Sequence, residues 1–551
     1  MNNPVLTAPI EPLLPMDDIQ GMAVPGFLKP YHTLVGLTAG ADQASCTKLA
    51  SFIASLTPRV TSGRDLILDR DTFRAERLVR SDPRNRHLVG DGESEPVFLG
   101  IGFTYRGLIK LTPGAESFTS EAFRAGMSAR SALLGDPTDA TKDGAPAKWV
   151  VGAAGNELDV LLVLVGDHRE PVTLRAQEII KKAGDAGIGV TYTEDGSIKQ
   201  EPGEHGVEHF GFKDGVSQPG IRGLIAIDGK RRPITPRTID PGQLPETWLY
   251  GRPGQHLLWP GEFILGQPTT GPDPLLPGPA RCAGPAWTRN GSFLVFRRLN
   301  QDVGLFWRTM QMMAAELTKA GWATEAPQLA ARFVGRWPSG APLSRVPNAD
   351  NLALGRSPLS NNNFLFDSDT PALQVHTDAG HPYTDSFPIA KADPVGLRCP
   401  AVAHIRKVNA RDSATDMGGG DAAYTRRILR IGIPFGTFVE PKDRYTDVGT
   451  ERGLLFMSIQ ASIENQFEFL QRAWINDDTR PRMPSGNDMI AGQNQPAPGS
   501  IRRCTLIGPG PDFRLHALST DKQWVFASGG EYCFVPSLSA LREVIGAYVK
   551  G

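Results

Sequence analysis

The apolar run that fills Leu158 to Val165, LDVLLVLV, constrains this chain more than any other stretch. It is short for a helix and shows no polar alternation, which predicts a strand covered on both faces. Such a strand needs layers around it, and the flanking segments supply them. Tyr31 to Leu37 reads as a strand, and Leu49, Phe52, Ile53 and Leu56 then fall on one helical face. Val97 to Tyr105 is a second strand, followed by a helical insertion around Phe123 and Met127. Beyond the apolar run, Thr173 to Ala183 predicts a helix and Ile188 to Thr193 a closing strand. The order is βαββαβ, the ferredoxin-like unit.

The same order recurs. Phe293 to Arg298 predicts a strand, and Asn300 a cap for a helix whose stripe is Val303, Phe306, Trp307, Met310, Met313, Ala314 and Leu317. Strands follow at Ile428 to Ile433 and Leu454 to Ile459, then a helix through Phe467, Leu470, Gln471 and Trp474. Tyr532 to Val535 is the last strand and Leu538 to Val549 a terminal helix. The expected fold is therefore α+β with two ferredoxin-like halves, and 551 residues suit two cores. The expected division is an arm over 1–30, a first half over 31–225, a basic proline-rich linker over 226–260 and a second half over 261–551. The second half carries a Pro-, Asn- and Asp-rich insertion over 338–400, too long for an idle loop.

Composition excludes several partners. With 58 basic against 59 acidic residues the net charge is -1, which gives no field to attract nucleic acid or an anionic membrane. No stretch approaches a membrane-spanning length, and the N-terminal residues show no basic region followed by an apolar run; a cytoplasmic protein is expected. Five scattered cysteines without a C-x-x-C pair point to neither a disulfide framework nor a zinc site.

Three polar groups stand out from their surroundings. Asp214 lies in HGVEHFGFKDGVSQPGI, from His205 to Ile221; His404 lies in CPAVAHIRK; Arg430 lies in the apolar strand RILRIGIPFG. Taken singly, an Asp between glycines is commonly a turn former and a lone His a core residue, while a buried Arg requires a partner or an anionic ligand. Glu204-His205 and Glu208-His209 offer a divalent-metal alternative, although Gly203 and Gly206 weaken any helix there and a third ligand is not evident.

Together these residues resemble the dye-decolourising peroxidases, a haem peroxidase family. GFKDG matches their G-x-x-D-G signature and continues as VSQPGI. GEFILG (261–266), GSFLVFRR (291–298), CPAVAHIRK with Asn409 and Arg411 after it, RILRIGIPFG and GLLFMSIQ (453–460) look like further blocks of the family, in order. The resemblance runs from about Asp18 onward, and the length and insertions are similar to the long-chain subfamilies. It implies the doubled ferredoxin-like fold with one haem b per chain in the C-terminal half. His404 is then the proximal ligand of the haem iron, with Glu464 or Glu468 as candidates for the carboxylate on its other nitrogen. Asp214 is the acid–base residue, and Arg430 stabilises charge on the departing peroxide oxygen. Leu454 and Phe456 shape the distal wall, and Gly215 contributes to cofactor binding. Phe435 stands where some members carry a tyrosine able to hold a radical; Trp474, Trp307, Trp524 and Tyr424 are other relay positions, each readily explained as core.

The implied activity is a peroxidase. Hydrogen peroxide oxidises ferric haem by two electrons, and dyes, phenols and other small aromatic reductants return them singly, with acid pH favoured. The resemblance also allows a homo-oligomer. A haem carrier or iron-releasing protein on the same fold is the alternative, since fold does not fix function; the pairing of Asp214 with Arg430 argues for turnover.

Overall fold

The computed structural model describes residues 8–81, 96–201, 206–225, 233–449, 451–483, 485–493, 501–508 and 513–545. Eight strands close into one barrel. They are β1 (Tyr31–Thr38), β2 (Phe98–Phe103), β3 (Val160–Gly166), β4 (Gly189–Ser197), β5 (Ser292–Gln301), β6 (Leu429–Phe435), β7 (Gly453–Gln460) and β8 (Val525–Val535). The order around the barrel is β1-β3-β2-β8-β5-β7-β6-β4. Each half thus contributes four antiparallel neighbours in the fourth-first-third-second order of a ferredoxin-like unit. The halves join edge to edge, with Phe534 opposite Phe103 and Phe435 opposite Gly196. Closure leaves neither half with an open edge there.

Alternation decides where side chains go. On β3 every residue is buried, as the apolar run requires: Leu161, Val163 and Val165 pack with Leu294, Phe296, Ile431, Ile433, Leu455 and Met457 inside the barrel. Val160, Leu162 and Leu164 face outward beneath α1 (Gln43–Leu56) and α3 (Arg169–Asp185). Asp42 caps α1, its carboxylate accepting the Ser45 N–H at 3.0 Å. Between α1 and β2 lies α2 (Gly63–Ser81), a charge-rich helix that periodicity does not reveal.

In the second half, α4 (Val303–Lys319) buries the predicted stripe. Its cap is Asp302, which accepts the Leu305 N–H at 2.8 Å, and not Asn300; β5 runs on to Gln301, so Asn300 is still strand. Next comes α5 (Ala326–Val334), closed by a capping box of Glu325 and Gln328. The helix expected around Phe467 consists of two π-helical turns, Ile463–Glu468 and Leu470–Ile475. The 338–400 insertion is ordered but mostly irregular, with one short helix (Leu352–Arg356) and a two-residue-per-strand hairpin. Arg345 pins it from within, donating to the Ser360, Phe387 and Pro388 carbonyls and to the Asp385 carboxylate.

The arm lies across the barrel, where the Gln20 side chain donates to the Ile101 and Pro536 carbonyls and Glu11 pairs with Arg222 and Arg237. Of the expected linker, residues 226–232 lie outside the described residues, as do residues 546–549 of the expected terminal helix. Among the described residues, no helix is long and apolar enough to cross a membrane.

Candidate active site

A cavity opens against the outer face of β5, β6 and β7, closed by the 208–219 segment, the 404–411 segment and the π-helical turns. Asp214, Gly215, His404, Arg430, Leu454 and Phe456 all line it. Alternation places them there. Ile431, Ile433, Leu455 and Met457 fill the barrel, so the intervening Arg430, Gly432, Leu454 and Phe456 face outward.

His404 begins a four-residue helical turn, His404–Lys407. Its Nδ1 lies 2.7 Å from Asp488 Oδ2, and the other Asp488 oxygen accepts the N–H groups of Ile490 (2.8 Å) and Ala491 (3.0 Å). Burial opposes charge on Asp488, but His404 and the two amides outweigh it and hold the carboxyl below its usual range. The buried Lys407 ammonium fixes the approach to Asp488, donating to the carbonyls of Asp477, Arg480 and Gly486. With Nδ1 engaged, Nε2 is the nitrogen free to bind within the cavity.

The expectation that Glu464 or Glu468 supports His404 is corrected by this geometry. Glu464 Oε1 accepts from Ser120 Oγ at 2.7 Å and the Ala122 N–H at 2.9 Å. Glu468 forms a bidentate pair with Arg130 and accepts the Tyr532 hydroxyl at 2.9 Å. Both carboxylates thus tie the π-helical turns to other elements. Asp488 was missed because it lies 84 residues beyond His404, outside any regular element. Its local signal is an Asp whose side chain caps the amides two and three residues on.

Asp214 lines the same cavity from a loop that turns at Gly211 (φ +95°) and Gly215 (φ +70°), conformations that glycine adopts readily. Asp214 Oδ1 accepts the Gly215 N–H at 2.7 Å and Arg430 Nη1–H at 3.1 Å. Burial pushes this carboxyl up; the Arg430 cation and the Gly215 amide outweigh it, and the net direction is down. Gln218 holds the Arg430 backbone from both sides, donating to its carbonyl at 2.7 Å and accepting its N–H at 3.2 Å. Gly432 leaves the room that Asp214 uses: a Cβ there would lie 2.7 Å from Asp214 Oδ2 and 3.3 Å from the Leu454 methyls.

Four further guanidiniums line the cavity; Arg297 pairs with Asp136 at 2.6 Å, and the other three bind neutral acceptors. Arg336 donates to the Gly340 and Asn361 carbonyls and Asn362 Oδ1, Arg411 to the Asn362 and Phe364 carbonyls, and Arg427 to Asn409 Oδ1. None of these three is within ion-pair distance of a carboxylate among the described residues. Burial pushes Arg336 and Arg427 down to about 10 and Arg411 to about 9, the last also repelled by the other two. Buried cations of this kind call for an anionic ligand. An imidazole, a carboxylate–guanidinium pair, apolar Leu454 and Phe456, and unneutralised arginines lining one cavity fit a haem and its carboxylates. The metal alternative fares differently. Glu204 and His205 lie outside the described residues, His209 Nε2 bonds the Phe435 carbonyl at 2.8 Å, and Glu208 binds backbone amides.

Comparison with known proteins identifies the family. Residues 18–200 match the family described as "DyP dimeric alpha+beta barrel domain". The dye-decolorizing peroxidase of Exidia glandulosa is 31% identical over 538 residues, covering 96% of this chain and 87% of that protein. An ancestral D-type dye decolorizing peroxidase superposes with a TM-score of 0.71 at 29% identity, covering 97% of this chain and all of that one. A dye-decolorizing peroxidase in complex with 2,6-dimethoxyphenol gives 0.69 at 28% identity, with 97% and 100% covered. From arm to last strand, the chain belongs to the dye-decolourising peroxidase family and is a haem-dependent peroxidase.

Proposed function

We propose that the cavity lined by His404 and Asp214 holds one haem b per chain, and that phenols and similar small aromatic molecules are the reductants. One observation carries this reading: a histidine backed by a carboxylate and an Asp–Arg pair line one cavity. When bound, the haem supplies an iron centre that takes two oxidising equivalents from peroxide and passes them on singly. His404 Nε2 would hold that iron, with Asp488, accepting the Nδ1–H, fixing the ring and raising its basicity. Asp214, ionised, accepts a proton from one peroxide oxygen and returns it to the other as the O–O bond breaks. Arg430 keeps Asp214 ionised and stabilises negative charge on the departing oxygen. Leu454 and Phe456 limit water beside them, while Arg336, Arg411 and Arg427 hold the haem carboxylates. The 2,6-dimethoxyphenol complex of a relative supports phenols as reductants.

The test is the visible absorption spectrum of protein expressed with ample haem, beside His404→Ala, before and after one equivalent of hydrogen peroxide. A ferric Soret band that is lost or altered in the variant, and that shifts with peroxide in the wild type, supports the reading. A band indifferent to peroxide would leave a carrier. Absence of any band after reconstitution would overturn the site.

A further inference from the structure

We propose that Glu208 is a positioning residue for Asp214, clamping the loop that presents Asp214 to the cavity and tying it to the end of β5. The inference rests on the peroxidase reading above and adds a residue to it. Glu208 lies six positions before Asp214 and lines the same cavity. Its Oε1 accepts the Phe212 N–H at 3.0 Å; its Oε2 accepts the Phe210 N–H at 2.9 Å and the Gln301 amide at 2.6 Å. Its backbone is engaged with the same turn, the N–H donating to the Phe212 carbonyl and the carbonyl accepting the Gly211 N–H, both at 2.9 Å. The loop then closes on itself, the Asp214 N–H donating to the Gly206 carbonyl at 3.0 Å.

The two residues whose amides Glu208 grips are also the loop's apolar anchors. Phe210 stacks on Phe306 with ring centres 4.3 Å apart, and Phe212 lies parallel to Trp307 at 6.4 Å, both partners on α4. One carboxylate therefore joins the anchored part of the loop, the end of β5 and the approach to Asp214. Only an acceptor with two oxygens meets three donors in this way. A glutamine would turn its own NH2 toward at least one of them and release that tether. Burial pushes the Glu208 carboxyl up to about 7, with the Asp214 charge adding to the push, so the three donors oppose a strong preference for the neutral form.

The experiment compares wild type, Glu208→Gln, Asp214→Asn and the double variant as haem-loaded proteins. The readouts are the rate of reaction with peroxide, the rate of cyanide binding to ferric protein, which also needs a distal base, and the thermal midpoint. Glu208→Gln is expected to slow both rates by about 10- to 100-fold per bound haem, the scale of a misplaced reacting group. In the Asp214→Asn background the same change should add nothing, because Glu208 acts through Asp214. Equal slowing in both backgrounds, or a lowered midpoint with both rates unchanged, would overturn the proposal. Should Glu208→Gln fail to fold, Gln301→Ala removes one donor and should slow both rates in the same direction, more weakly; unchanged rates there would count against it. Wild type that binds no haem would instead overturn the peroxidase reading itself.

Discussion

Two carboxylates serve the cavity, Asp488 behind His404 and Asp214 beside the Arg430 cation, yet their settings are built differently. Asp488 has no exposed side-chain surface, and both of its oxygens are saturated by His404 and two amides. Asp214 and Arg430 keep 28% and 29% of their side chains accessible and share one bond at 3.1 Å. A group that orients a ligand is best locked. One that takes up and releases a proton has to reach its substrate and change charge without the loss of a buried network. The contrast supports the proposal that Asp488 orients and Asp214 moves the proton.

The sharpest way to break that contrast is Asp214→Asn. Asparagine keeps the size and a bond to Arg430 but cannot act as a base at any pH used. The rate of reaction with peroxide should fall by about 10²- to 10⁴-fold, the usual contribution of a positioned acid–base group, with the haem band retained. A fall below tenfold in stopped-flow mixing would remove Asp214 from the proton path.

Asp488→Asn should act differently. Its amide NH2 would face either His404 or the Ile490 and Ala491 amides, so a donor is left unsatisfied whichever way it turns. Haem affinity and turnover should fall by about 10- to 100-fold, the range for partners of a metal-bound histidine, and the thermal midpoint should drop as well. Titration of apoprotein with haemin checks this; unchanged affinity with unchanged turnover would make Asp488 a local cap only.

The difference between the two settings also marks what the sequence reveals. Asp214, His404 and Arg430 stand out because each is a polar residue in a patterned setting: a glycine turn, an apolar run and an alternating strand. The eight strands are legible for the same reason, since period-2 and unbroken apolar runs report burial directly. Asp488 is not legible, because its partner is 84 residues away and its own segment has no periodicity. Glu464 and Glu468 are suggested by their place on the helix after the GLLF strand; hydrogen bonds to Ser120 and Arg130, more than 300 residues away, claim them instead. The cap of α4 shifts from Asn300 to Asp302 through a smaller effect, as β5 extends three residues beyond the expected end at Arg298. Barrel closure was equally hidden, because it depends on Phe103 meeting Phe534 and Gly196 meeting Phe435 across halves.

Gly432→Ala probes the Asp214 setting without touching a charge. The added methyl would sit 2.7 Å from Asp214 Oδ2, closer than ordinary contact, and the side chain is easier to displace than the strand. The reaction with peroxide should slow about tenfold, with haem binding and thermal midpoint nearly unchanged, consistent with a displaced catalytic group on an intact scaffold. Full activity would show that Asp214 has freedom to move aside and still work.

The smallest effect concerns pH. Arg430 and the Gly215 amide hold the Asp214 carboxyl below its ordinary value against burial, so the ionised form persists as pH falls through about 4, the value of an unperturbed Asp. The base is present above the folded-state value and lost as pH falls through it, which places the acid limb of the peroxide reaction below that of a free Asp. Any folding stability from the same interaction is present above the unfolded value and lost over the same descent. Arg430→Lys keeps the charge but replaces the planar fork with a point charge, and gives up the contact from Nη2 to the Ser217 carbonyl. The attraction weakens without vanishing, so the acid limb should move upward by less than the shift that Arg430→Ala produces, with the rate above the limb only modestly lowered. A limb that stays in place in both variants would mean that the Gly215 amide alone sets the ionisation of Asp214; a limb that moves downward would contradict the sign of the pairing.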